Sequence, residues 1–101
     1  MTIVSVRILE EKSITITSTA QTLETLGLNA TNIKNADIVM ITVEADCRFT
    51  LGGTIDPTAS IGHYLAAQLD REFPGNIPIK NMKLIRVGGS DVAGFITLAK
   101  L

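Results

Sequence analysis

Few residues in this chain could do chemistry, and they are scattered. His63 is the only histidine and Cys47 the only cysteine. An imidazole acting as a general base or metal ligand needs an orienting acid and a partner group. The local run "SIGHYL" supplies no such arrangement, so a structural or interface role is expected for His63. A single thiol excludes an internal disulfide and a cysteine-based zinc site. Cys47 lies in a strand-like run rather than at a helix N-terminus, where a thiol would be activated, and is expected to be packed. Asp37, Glu44, Asp46 and Asp56 could gather around a hard cation, but their spacing matches no calcium loop. Solvated carboxylates are the expected reading. Gly88-Gly89-Ser90 lacks the flanking lysine and following helix of a phosphate loop and reads as a hairpin turn. No catalytic residue, metal ligand or cofactor is expected. Arg48 and Arg86 differ from these, because each interrupts an apolar run. Such an arginine faces solvent or pairs with acids of a neighbouring molecule, and with His63 these two are the candidate interface residues.

The elements that position these side chains are mostly strands. "IVSVRIL" (3–9) is rich in β-branched residues, and in "KSITITST" (12–19) Ile14 and Ile16 alternate with hydroxyls. "ADIVMITVEADCRFTL" (36–51) carries the strongest strand signal, with Val39, Ile41 and Val43 on one face and Ile38 and Met40 on the other. Apolar character on both faces implies a central strand or one covered by a partner. A bend at Asp46-Cys47 leads to a second strand, Arg48–Leu51. Residues 62–69 continue as a strand or an extended segment. Pro74-Gly75 marks a turn, and Pro78 bars a central strand there. Residues 82–88 and 93–101 read as two final strands joined through Gly88–Asp91. "AQTLETLGLNATNIKN" (20–35) reads as a loop pinned by its leucines, since Gly27 and the asparagines break a helix after about a turn. Six to eight short strands and at most one short helical turn predict an all-β antiparallel sandwich, jelly-roll-like. Residues 1–12 form an N-terminal arm or edge strand, and 13–101 a single domain.

The segment "RFTLGGTIDPTASIGHYL" (48–65) is dense in turn residues yet bounded by apolar ones. Gly52 and Gly53 tolerate positive φ, so the chain can reverse after Leu51. Asp56-Pro57 presets a second corner, Thr54, Thr58 and Ser60 can bond nearby backbone, and Gly62 permits the return. An ordered, self-bonded connection is expected. With "NMKLIRVGGSDVAGFITLAKL" further on, this run resembles small tailed-phage virion proteins of about a hundred residues. The matching positions are Arg48, Phe49, Gly53, Thr54, Pro57, Thr58, Ala59, Gly62 and His63, then Leu84, Ile85, Arg86 and the 95–98 strand. Gly52, where an Asp is usual, and Ile55, which lengthens the turn by one residue, depart from the pattern. The resemblance spans the chain from Asp37 onward. It implies a β-sandwich acting as a capsid decoration (cement) subunit or another small head or tail component, with no catalysis, and the expected location is the capsid exterior after synthesis in the host bacterial cytoplasm. Its expected partners are the major capsid protein or other virion proteins, and a homo-oligomer, with a trimer favoured.

Bulk properties agree with a binding module. The 101 residues are 46% hydrophobic and 19% charged, enough for one core without staples. Net charge is −1 and the nine Lys and Arg are dispersed, whereas nucleic-acid binding needs a concentrated basic face. No apolar run is long enough for a membrane-spanning helix and no charged-then-apolar leader precedes the first strand, so neither partner is expected. A neck, tail or fibre component, or a host-glycan module, is the alternative reading. The absence of Trp, with one Tyr and three Phe of which two fall in expected core strands, weighs against a glycan platform.

Overall fold

The structure, a computed structural model, describes residues 6–101, without the side chain of Ile77. Eight strands run in chain order with two short helices: β1 (Arg7–Ile16), β2 (Gln21–Thr22), α1 (Ala30–Asn35), β3 (Ile38–Val43), β4 (Cys47–Thr50), β5 (His63–Leu65), β6 (Arg71–Pro74), α2 (Asn76–Asn81), β7 (Lys83–Arg86) and β8 (Val92–Lys100). One sheet has the order β1-β8-β3-β6, the other β2-β7-β4-β5, and every pairing is antiparallel. The neighbours 1·8, 2·7, 3·6 and 4·5 are those of one long hairpin wrapped around itself. That is the eight-stranded jelly roll.

Period-two alternation explains the layering. Ile14 and Ile16 of β1, Val39, Ile41 and Val43 of β3, Phe49 of β4, Leu84 of β7, and Ile96 and Leu98 of β8 all point between the sheets and are buried. Burying each such side chain contributes about 1.5–3 kcal/mol relative to leaving it in water. Leu23, Leu26 and Leu28 close one end of this core from the loop after β2. Residues 7–12 of the expected arm or edge strand form the first part of β1, at the edge of its sheet; residues 1–5 lie outside the described residues. The β1–β8 register shifts between Ile8 and Glu10, so Leu9 is an extra, bulged residue. Without that insertion Ile8 and Glu10 would share a face. With it, Ile8 points outward, and Glu10 turns inward to accept hydrogen bonds from Asn29 N (2.9 Å) and Asn32 Nδ2 (3.0 Å).

Two of the connections differ from the sequence reading. At most one helical turn was expected, and two six-residue helices are present. The first starts where Asn29 Oδ1 accepts from Thr31 N (2.9 Å) and Asn32 N (3.3 Å), an N-cap that the asparagine-rich tail supplies. The second follows Gly75 at φ 99° and carries Pro78 in its first turn, where a missing N–H costs nothing. Asn76 Nδ2 ties the helices together through the carbonyls of Ile33, Lys34 and Ala36. The second difference is Gly88–Asp91, which is no hairpin: β7 and β8 belong to different sheets, so this segment arches across the sandwich.

Candidate functional site

Of the three hydroxyls expected to bond nearby backbone in the connection between β4 and β5, Thr58 does so, joined by Thr50 at the end of β4. Thr50 Oγ1 donates to Ile55 O (2.8 Å), and Thr58 Oγ1 accepts from Ser60 N (3.2 Å) and Ile61 N (3.0 Å). Pro57 is fully buried, while Asp56 binds Lys83 Nζ at 2.5 Å. Gly53 and Gly62 have φ of 77° and 119°; Gly52 does not take a positive φ. A Cβ on Gly62 would stand 3.0 Å from Phe49 O. Only glycine combines that backbone with that approach.

Arg48 holds this loop down. From the outer face of β4 its Nε donates to Ala59 O (3.1 Å) and its Nη1 to Gly62 O (2.9 Å), and Cζ lies 5.4 Å from the Tyr64 ring centroid. Its guanidinium thus closes the loop onto the sheet. Arg86 Nη1 binds Asp91 Oδ1 at 2.5 Å, bracing the arch before β8. His63 stacks beside Phe49, with ring centroids 5.3 Å apart, and lines a shallow groove with Thr50, Leu51, Ile55 and Ile61. The three candidate interface residues are therefore separated: two arginines brace loops, and the imidazole sits at the sandwich edge.

The four acids weighed as a cation site do not converge. Asp56 is on Lys83, Asp37 accepts from Leu101 N (3.0 Å) and faces Lys100 Nζ (3.5 Å), and Asp46 serves β5. Among the described residues no three of His, Cys, Asp and Glu lie together as metal ligands would. Asp46 accepts from the Tyr64 hydroxyl and from Ala67 N (2.8 Å). The tyrosine bond first, and the amide second, hold its carboxyl below the ordinary carboxylate range, while the same bond raises the Tyr64 hydroxyl. Burial, reinforced by the Asp46 charge, pushes the Cys47 thiol up to about 11. That thiol is a poor nucleophile at neutral pH.

The surface that sequence reasoning missed is the outer face of the β1-β8-β3-β6 sheet. Register aligns Ile8, Ala99, Ile38 and Pro74 in one row, Glu11, Thr97, Met40 and Glu72 in the next, and Ser13, Phe95 and Thr42 in a third. Ile8 is 52% exposed, Phe95 44% and Met40 37%. Met40 and Phe95 thus stand in water on the central strands of a sheet face, with Ile8 on its edge strand, where alternation usually places polar side chains. The two-faced apolar character of residues 38–41 was the signal. No family model matches the chain, and neither a curated protein nor a solved structure matches it.

Proposed function

We propose that this protein is a structural subunit of a tailed-phage virion, a decoration protein that docks on the outside of the assembled capsid and stabilises it. The observation that carries this reading is the outer sheet face bearing Ile8, Met40 and Phe95, an apolar surface on strands whose opposite side is packed core. Isolated exposed apolar side chains are ordinary, but adjacent rows of them on a rigid sheet suit docking. Jelly rolls are used by viral capsid domains among others, which supports the reading as an analogy of fold alone. A subunit with affinity only for the closed lattice stabilises that lattice by mass action.

The test is co-sedimentation of the purified protein with assembled capsids over a range of concentrations. Binding should saturate at a fixed ratio to the shell protein, and decorated capsids should resist heat better than bare ones. Binding that never saturates, or no binding, removes the proposal.

A further inference from the structure

Among the described residues, the charged side chains that the register places on that face are all acidic. Glu11 and Glu72 flank the Thr97–Met40 row from the two edge strands. Asp70 Oδ1 accepts from Thr42 Oγ1 (2.5 Å) at the end of the next row. The cations of the same sheet lie on its other side: Lys12 pairs with inward Ile96, Arg71 with inward Ile41, and Arg7 with Lys100 one residue out of phase with the outward Ile8–Ala99 pair. Arg71 also stacks on buried Phe49 and Phe73, with Cζ 5.8 and 5.4 Å from their centroids. The face therefore carries Ile38, Met40 and Phe95 on its two central strands and Ile8 on the edge strand beside them, with Glu11 and Glu72 flanking the middle row and Asp70 closing the next. Two copies placed face to face would oppose carboxylate to carboxylate, which disfavours self-docking.

We infer that this face binds a protein surface of complementary make-up: an apolar patch rimmed by lysine or arginine, its basic groups set about 14 Å apart. The spacing follows from Glu11 and Glu72 standing in one row three strand intervals apart, at about 4.8 Å each. Apolar side chains flanked by charge have the anatomy of a specific interface, in which the charges set register and on-rate and the apolar contacts set residence time. The inference deepens the proposed function by naming the partner's chemistry, and it rests on that reading for the identity of the partner.

Two measurements separate the two ideas. In capsid co-sedimentation, Glu11→Lys with Glu72→Lys should weaken binding at least tenfold, while Glu24→Lys, off the face, should not. If the wild type binds and both variants bind as well as it does, the decoration role stands and the assigned face is wrong. Independently of capsids, NMR titration with the extended peptide acetyl-Lys-Val-Phe-Val-Lys-amide should shift the amides of Met40, Phe95 and Thr97. The Glu-for-Lys version of that peptide should leave them unmoved. Equal response to both peptides, or none, overturns the inference. So does a need to delete residues 1–5 before the basic peptide binds, since the chain's own start would then occupy the face. Dimerisation by sedimentation velocity of the wild-type protein through this face would assign it to a second copy and overturn it as well.

Discussion

Replacing Arg48 should loosen one loop and lower global stability together. Its guanidinium makes two charge-assisted hydrogen bonds, to Ala59 O and Gly62 O, and one cation–π contact with Tyr64. Bonds to a charged donor contribute about 1.5–3 kcal/mol when well buried. Arg48 is half-buried, so solvent screening reduces each to about 1 kcal/mol. The ring contact adds about 0.5 kcal/mol. Arg48→Ala should therefore destabilise by about 2.5 kcal/mol, lowering the melting temperature by roughly 10–15 °C for a domain of this size. Arg48→Lys keeps charge and stem but has no fork, reaches one carbonyl, and should lose about 1 kcal/mol. Arg7→Ala, an exposed arginine at the sheet edge, is the control and should change stability by less than about 0.5 kcal/mol. Urea unfolding gives the global number. Hydrogen exchange at Ser60 and Ile61, whose amides bond Thr58 Oγ1, gives the local one. If Arg48→Ala costs less than about 0.5 kcal/mol and leaves those amides as protected as before, the guanidinium is not what holds the loop.

Three further outcomes follow from other contacts. Gly94→Ala would set a Cβ 3.1 Å from Thr42 O and 3.2 Å from Ile14 Cγ1, and should destabilise by about 1–3 kcal/mol in urea melts through overpacking between adjacent strands. Asp46 titrates below its unfolded value, so its contribution is complete above about pH 4 and lost as pH falls through the folded value. Asp46→Asn should therefore show a shallower loss of stability between neutral and acid pH than the wild type, and parallel curves would contradict the Tyr64 bond as the cause. The Cys47 thiol, with its pKa near 11 and its side chain sealed in the core, should react with an aromatic disulfide reagent at pH 8 only as fast as the domain opens, and urea should accelerate labelling at least a hundredfold.

How far the fold was legible depended on whether the deciding signal was local. The alternation of Val39, Ile41 and Val43 gave β3 its inward face because one strand's parity needs no partner. The leucines at 23, 26 and 28 announced a pinned segment for the same reason. Helix α1 was hidden because Asn29, read as a breaker, is its cap. Helix α2 was hidden because Pro78 forbids a strand but is tolerated in a helix's first turn. Gly88–Asp91 looked like a hairpin because a polar glycine loop between apolar runs reads alike whether the next strand returns to the same sheet or crosses to the other. The two expected core phenylalanines split: Phe49 is buried, while Phe95 faces outward, because Ile96 and Leu98 set the inward parity of β8. Phe73, in a segment marked by turns, is buried against Phe49 with centroids 4.9 Å apart. The docking face needed registers across four strands, and no single segment carries those.

The placement of β8 has a consequence for biosynthesis. It lies between β1 and β3, which do not touch each other through backbone bonds without it. On the ribosome, β1 and the facing edge of β3 must wait with open ladder edges until Lys100 has cleared the exit tunnel, whereas the β3–β6, β4–β5, β4–β7 and β2–β7 ladders do not need β8. Half-made chains are then the aggregation-prone species, and the domain's yield in a cell depends on how quickly its closing strand slots into the middle of a sheet already waiting for it.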